Sequence, residues 1–251
     1  MKRLLFNTVV GILAVGSSAV SFATSSYLVA PGKIRLSLQR PSTSSFIVRN
    51  TGDTTLHLRA KLEYYPTSSE VLGLGSQKKS FDDDLLTHAR VLISPPLLVM
   101  PAGQQRTLRV SVRPKAGLKE GTYRAYLRFS PSELIKQPIK VTNDATGNQV
   151  GAQINIRLDT VTSIYADKGK GEEKLTVRCI NSQKNTKVTI ANDSPWLYRG
   201  AIANNNANDQ DASVPVILMG YNTQTFELKN SRSVIELAEE NSKGKQKISC
   251  S

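Results

Sequence analysis

From Tyr27 onward the apolar residues of this chain recur at every second position and almost nowhere at helical spacing. Such alternation puts one side of an extended segment against a core and the other in solvent, which restricts the chain to β-structure. Strands are expected at Ile34–Leu38, Ser45–Arg49, Leu56–Tyr64, Thr107–Arg113, Gly121–Phe129, Ala152–Tyr165, Leu175–Cys179, Lys187–Ala191, Val214–Met219 and Thr223–Leu228. Turn-forming clusters separate them, at Asn50-Thr51-Gly52-Asp53, Pro101-Ala102-Gly103 and Asn192-Asp193-Ser194-Pro195. Short strands at this spacing predict an all-β protein built from sandwiches.

The amino-terminal end follows a different rule. Lys2 and Arg3, an apolar run from Leu4 to Val15 and the small residues around Ser21-Phe22-Ala23 make residues 1–23 a signal peptide, removed on export. No later apolar run reaches the ~18 residues of a membrane-spanning helix, so no membrane insertion of the mature chain is expected. A polar, glycine-containing stretch from Asp167 to Glu173 cannot join a core and divides what remains. The expected organisation is a first domain over 24–166, a linker at 167–171 and a second domain over 172–251. A long loop is expected from Ala203 to Asp211, where asparagine and aspartate leave no apolar period.

Charge and composition narrow the function. The chain carries 33 Lys+Arg against 20 Asp+Glu, a formal charge of +13. The cations are dispersed, with no arginine-rich arm and no zinc-finger or RNA-motif spacing, so nucleic acid is not an expected partner. His57 and His88 stand apart, neither beside a nucleophile nor in a ligand cluster, and no phosphate-binding glycine loop occurs. Neither catalysis, nor a cofactor, nor a metal is expected. The acidic triplet Asp82, Asp83 and Asp84 lacks the spacing of a calcium loop and is expected to be a solvated loop. Cys179 and Cys250, an even pair behind a signal peptide, suggest one disulfide; two free buried thiols are the alternative.

Three segments then carry a resemblance. They are Arg49-Asn50-Thr51-Gly52-Asp53, the stretch Ile93 to Val110 that contains Ser94-Pro95-Pro96-Leu97-Leu98-Val99-Met100-Pro101, and Glu120-Gly121-Thr122-Tyr123-Arg124-Ala125-Tyr126-Leu127-Arg128-Phe129. In combination they resemble the periplasmic pilus chaperones of the chaperone/usher pathway. The second half is similar mainly through Ala191-Asn192-Asp193-Ser194-Pro195-Trp196-Leu197-Tyr198. The resemblance implies two immunoglobulin-like sandwiches in a boomerang, with a strand of the first lent to a pilus or fimbrial subunit.

The segment from Val150 to Tyr165 has the pattern such a strand requires. Ile154, Ile156 and Leu158 alternate with Asn155, Arg157 and Asp159. By pattern alone this strand faces its own core, as any half-buried sandwich strand does. The resemblance instead makes Ile154, Ile156 and Leu158 the anchors that enter a groove in the client.

The resemblance also implies a basic pair that grips the client's terminal carboxylate. Lys33, in Pro31-Gly32-Lys33, fills the first position, with Arg35 as the alternative one alternation step along. Counting from the anchors, the second position falls on Ser163, which is no cation and offers only a hydroxyl. Glu120 matches an acidic residue used in an interdomain ionic contact, but the position of its usual arginine partner is Asp167, which implies a different hinge.

The function implied is that of a non-enzymatic periplasmic chaperone that captures pilus subunits and hands them to an outer-membrane usher; the free form has the option of covering its strand by self-association. The other class of reading is a structural or adhesive surface or pilus protein. Thr24 to Val29 is short for the alternating amino-terminal extension such a subunit needs.

Overall fold

The computed structural model describes residues 26–66, 76–77, 81–132, 135–138, 153–156, 158–203, 213–229, 234–240 and 245–251. The expected signal peptide, and all of the expected polar loop except Ala203, lie outside them.

The first half contains β1 (Tyr27–Ala30), β2 (Lys33–Ser37), β3 (Ser42–Asn50), β4 (Leu56–Glu63), β5 (Ser76–Gln77), one helical turn α1 (Leu85–His88), β6 (Ala89–Ser94), β7 (Leu97–Met100), β8 (Gln105–Pro114), β9 (Gly121–Pro131), β10 (Ile135–Pro138), β11 (Gln153–Ile156) and β12 (Thr160–Lys168). Two sheets, β1-β3-β8-β6 and β2-β12-β9-β4-β7, enclose a core that includes Phe46, Leu58, Met100, Leu108, Leu127, Phe129 and Ile164. Alternation explains the layering: in β8, Leu108, Val110 and Val112 point in, while Thr107, Arg109 and Arg113 point out. Pro31-Gly32 ends β1, and the chain crosses to the other sheet as β2. β2 runs parallel to β12; among the described residues all the other strand pairs are antiparallel.

The second half comprises β13 (Leu175–Asn181), β14 (Asn185–Asn192), β15 (Tyr198–Ala203), β16 (Val214–Leu218), β17 (Asn222–Lys229), β18 (Val234–Glu239) and β19 (Lys245–Ser249). Its sheets are β13-β14-β17-β5 and β16-β15-β18-β19, packed around Val188, Ile190, Val216, Leu218, Ile235 and Leu237. β5 belongs by sequence to the first half, yet pairs its Ser76 and Gln77 with Thr223 and Asn222. Cys179 and Cys250 form a disulfide across a separation of 71 residues and fasten the chain end to β13. The fold is the expected pair of β-sandwiches.

Two expectations are corrected. The single strand from Ala152 to Tyr165 is two, β11 and β12, with Leu158 and Asp159 belonging to neither. β12 also runs on to Lys168, so Asp167 and Lys168, expected to open the linker, are paired with Thr122 and Gly121. Their polarity does not prevent this, because a ladder is made of backbone groups and the Asp167 carboxylate finds its own partners.

Candidate functional site

β2 and β12 lie side by side with Lys33 opposite Ser163, Arg35 opposite Tyr165 and Ser37 opposite Asp167. Side chains of paired residues leave a sheet on the same side, so these stand on one face. That face meets the second domain. Lys33, Arg35, Tyr165, Leu197, Arg199 and Glu240 line a cleft of about 300 Å³ between the two sandwiches.

Two ion-pair groups divide the cleft. Deeper along β12, Arg35 donates two hydrogen bonds to Asp167, from Nε at 2.5 Å and from a terminal nitrogen at 3.2 Å. Asp167 also accepts from Thr122 Oγ1 at 2.7 Å, and Thr122 Oγ1 accepts the backbone N–H of Leu197 from the second domain at 3.2 Å. The hydrogen bond from Arg35 to Asp167, more than the opposing burial, raises the guanidinium pKa further above its ordinary value. At the other position, Lys33 Nζ lies 2.5 Å from Glu240 Oε1, and Arg199 Nε lies 2.7 Å from Glu240 Oε2. The Arg199 guanidinium stands 5.8 Å from the centre of the Tyr165 ring.

The hinge itself is apolar and close-fitting. Tyr165, Leu197 and Met219 form a small buried cluster, and the Thr122 N–H donates to the Pro195 carbonyl at 3.0 Å. Gly121, at φ +144°, permits that approach; a Cβ there would lie 2.9 Å from the Pro195 carbonyl oxygen. Position 167, where the resemblance would put an arginine partner for Glu120, is an aspartate. The Glu120 side chain lies against Gly169, whose φ is +85° and where a Cβ would come within 2.6 Å of Glu120 Cδ. Asp167 pairs within the first sandwich, with Arg35 of the neighbouring strand.

β9 and β12 continue past the five-stranded sheet as β10 and β11, which pair with each other, Ile154 opposite Gln137 and Ile156 opposite Ile135. Among the described residues β11 has no second neighbour. Its backbone positions carry Ile154 and Ile156, whose side chains lie outside the described residues; Leu158 is 65% exposed. The root of this hairpin is pinned. The Thr160 N–H donates to the Tyr27 hydroxyl at 3.1 Å, and Arg128 bridges Glu63 at 2.7 Å and Asp159 at 3.2 Å. Burial pushes the Glu63 carboxyl up, but hydrogen bonds from Tyr65 and Arg128 outweigh it and hold the group at about 2.

The acidic triplet is also corrected. Asp82 faces His88, and Asp84 caps α1 by accepting the Leu86 N–H, but Asp83 is 1% exposed and pairs with the equally buried Arg124 at 2.9 Å. Tyr64 donates its hydroxyl to Asp83 at 2.5 Å. A buried carboxylate is held here because a guanidinium and a phenol supply what water would. The sequence left out Arg199 and Glu240 as well. Arg199 directly follows the segment that carries the resemblance in the second domain, the only signal that could have found it.

No family model matches the chain, and no curated protein matches it in sequence. Solved structures do match in shape. One belongs to the Salmonella enterica SafA pilin in complex with the SafB chaperone, with a TM-score of 0.55 at 11% identity over 91% of this chain and 98% of that one. Another belongs to the CsuC–CsuE chaperone and tip-subunit pre-assembly complex of Acinetobacter baumannii, at 0.52 and 13% over 90% and 98%. A third is the Pseudomonas aeruginosa CupB2 chaperone, at 0.52 and 9% over 89% and 100%. The chain has the pilus-chaperone fold. Coverage from end to end means that both sandwiches of that fold are present, where the sequence resemblance rested mainly on the first.

Proposed function

We propose that this protein is a periplasmic, non-enzymatic chaperone of pilus or fimbrial subunits, which lends a client the strand containing Ile154, Ile156 and Leu158 and delivers it to an outer-membrane usher. The observation that carries this reading is the unpaired edge of β11 among the described residues, on a hairpin whose root is fixed by Tyr27 and Arg128. An open edge supplies N–H and C=O groups to a subunit that lacks its last strand, while alternate side chains fill the groove. Each anchor fully buried there contributes about 1.5–3 kcal/mol, from which the costs of association and ordering are subtracted.

Lys33 grips the client's terminal carboxylate and sets the register of the pairing. Arg35 makes two hydrogen bonds to the less exposed Asp167 while Lys33 makes a single contact to the more exposed Glu240, which favours Lys33 of the two, and Ser163 stands opposite Lys33 on β12 with a hydroxyl to offer. Glu120, against the hinge glycine, helps keep the domain angle. Release occurs by strand exchange, when the next subunit offers a better-fitting strand.

The test is affinity purification of the tagged mature protein from periplasm of the source cells, with mass identification of its companion. A one-to-one complex with a small immunoglobulin-like subunit, lost in the Ile154/Ile156/Leu158→Ser variant, is expected. Lys33→Ala is expected to weaken capture. Recovery of the protein within surface polymers, or of a misfolded triple variant, would mean that the alternating strand serves its own core.

A further inference from the structure

Lys33 and Arg199 come from different domains and hold the two oxygens of one carboxylate. Two cations converging on one carboxylate form a carboxylate site, whichever chain supplies the anion. Arg199 is set in place by the Tyr165 ring beneath it, and its backbone carbonyl accepts the Glu240 N–H at 2.9 Å. Glu240 follows directly on β18. Its side chain is 43% exposed, that of Lys33 is 40% and that of Arg199 is 21% exposed, so the Lys33 pair is the more open of the two to exchange. The other cation of the cleft, Arg35, is engaged by Asp167.

We infer that Arg199 is the second cation of the client-carboxylate site, supplied by the second domain in place of the residue missing at Ser163, and that Glu240 occupies this site until a client's terminal carboxylate displaces it. The inference rests on the strand-lending reading above. Its logic is one of charge. With the site empty, Lys33 and Arg199 would face one another as like charges across the cleft; with Glu240 in it, each has a carboxylate oxygen. Exchange of one carboxylate for another leaves both cations satisfied, so the backbone pairing along β11 decides whether the client stays. A hydrogen bond from Lys33, and another from Arg199 against opposing burial, keep the Glu240 carboxyl below the ordinary carboxylate range, and it is therefore an anion at neutral pH.

The experiment uses a synthetic peptide of alternating valine and serine ending in a free carboxylate, and the same peptide ending in an amide, titrated calorimetrically into the mature protein. Glu240→Gln is expected to raise affinity for the free acid about fivefold, because the competitor is gone, and to leave the amide unchanged. In the Glu240→Gln background, Arg199→Gln is expected to reduce the preference for acid over amide, leaving the part due to Lys33, and Arg199→Lys to restore part of the loss. Equal gains for acid and amide, or no gain for either, would make Glu240 a plain fastener between domains and overturn the inference. Binding of neither peptide to any variant would instead remove the strand-lending reading, and this inference with it.

Discussion

The two sandwiches reach stability by different means. The first encloses the larger apolar cluster and carries inside it a buried ion pair, Arg124 with Asp83, tied to Tyr64 and Tyr126. The second has a smaller cluster and a covalent closure, Cys179 to Cys250, at its chain end. The site falls where neither device operates, in exposed ion pairs between the two. The two domains meet through a small buried cluster, Tyr165, Leu197 and Met219, and the cleft's ion pairs lie exposed beside it.

Breaking that contrast gives graded effects. Arg124→Met leaves Asp83 uncompensated in the interior and is expected to cost the first domain about 3–5 kcal/mol by denaturant unfolding. A loss under about 1 kcal/mol would show that water reaches the pair. Replacing Cys179 and Cys250 by alanine is expected to cost about 2–4 kcal/mol and to move only the transition of the second domain. Tryptophan fluorescence follows that transition, since Trp196 lies in the second domain. At the joint, Arg35→Ala is expected to cost no more than about 1 kcal/mol, because half of the arginine side chain is in solvent. Small-angle scattering is the sharper readout there, with a broader distribution of domain angles the expected result.

Acid acts on the first domain through Glu63. The Glu63 pKa is lowered from 4.5 to about 2 in the folded chain, so the stabilisation it gives through Arg128 is complete above the unfolded value and disappears as pH falls toward 2. Melting temperatures measured over about three pH units, from roughly pH 5 to pH 2, are expected to fall less steeply in Arg128→Gln than in the wild type. Parallel slopes would remove Arg128 from the root of the hairpin.

How much of this was legible depended on how local the signal was. Strands such as β8, β14 and β17 were readable because one face is apolar and the other polar. β7 was not: Leu97 and Val99 are exposed while Leu98 and Met100 are buried, so apolar residues on both faces erase the alternation. β15 contains Gly200 and Ala201 and shows too few large side chains to declare a period. Asp83 looked solvated among its acidic neighbours because its partner, Arg124, comes from a distant strand. The site divided in the same way. Lys33, Arg35 and Ser163 followed from the family resemblance and lie on two strands that proved to be adjacent, whereas Arg199 and Glu240 join them only once the second domain has folded against the first.

The most direct test of the central claim is amide hydrogen exchange at residues 153–156, measured in the free protein and in a purified one-to-one complex with a pilus subunit. Strand lending predicts that these amides exchange readily when free and slow by orders of magnitude in the complex, since β11 gains a second partner. A stable complex in which they exchange as fast as before would contradict it, and would place the client elsewhere on the molecule.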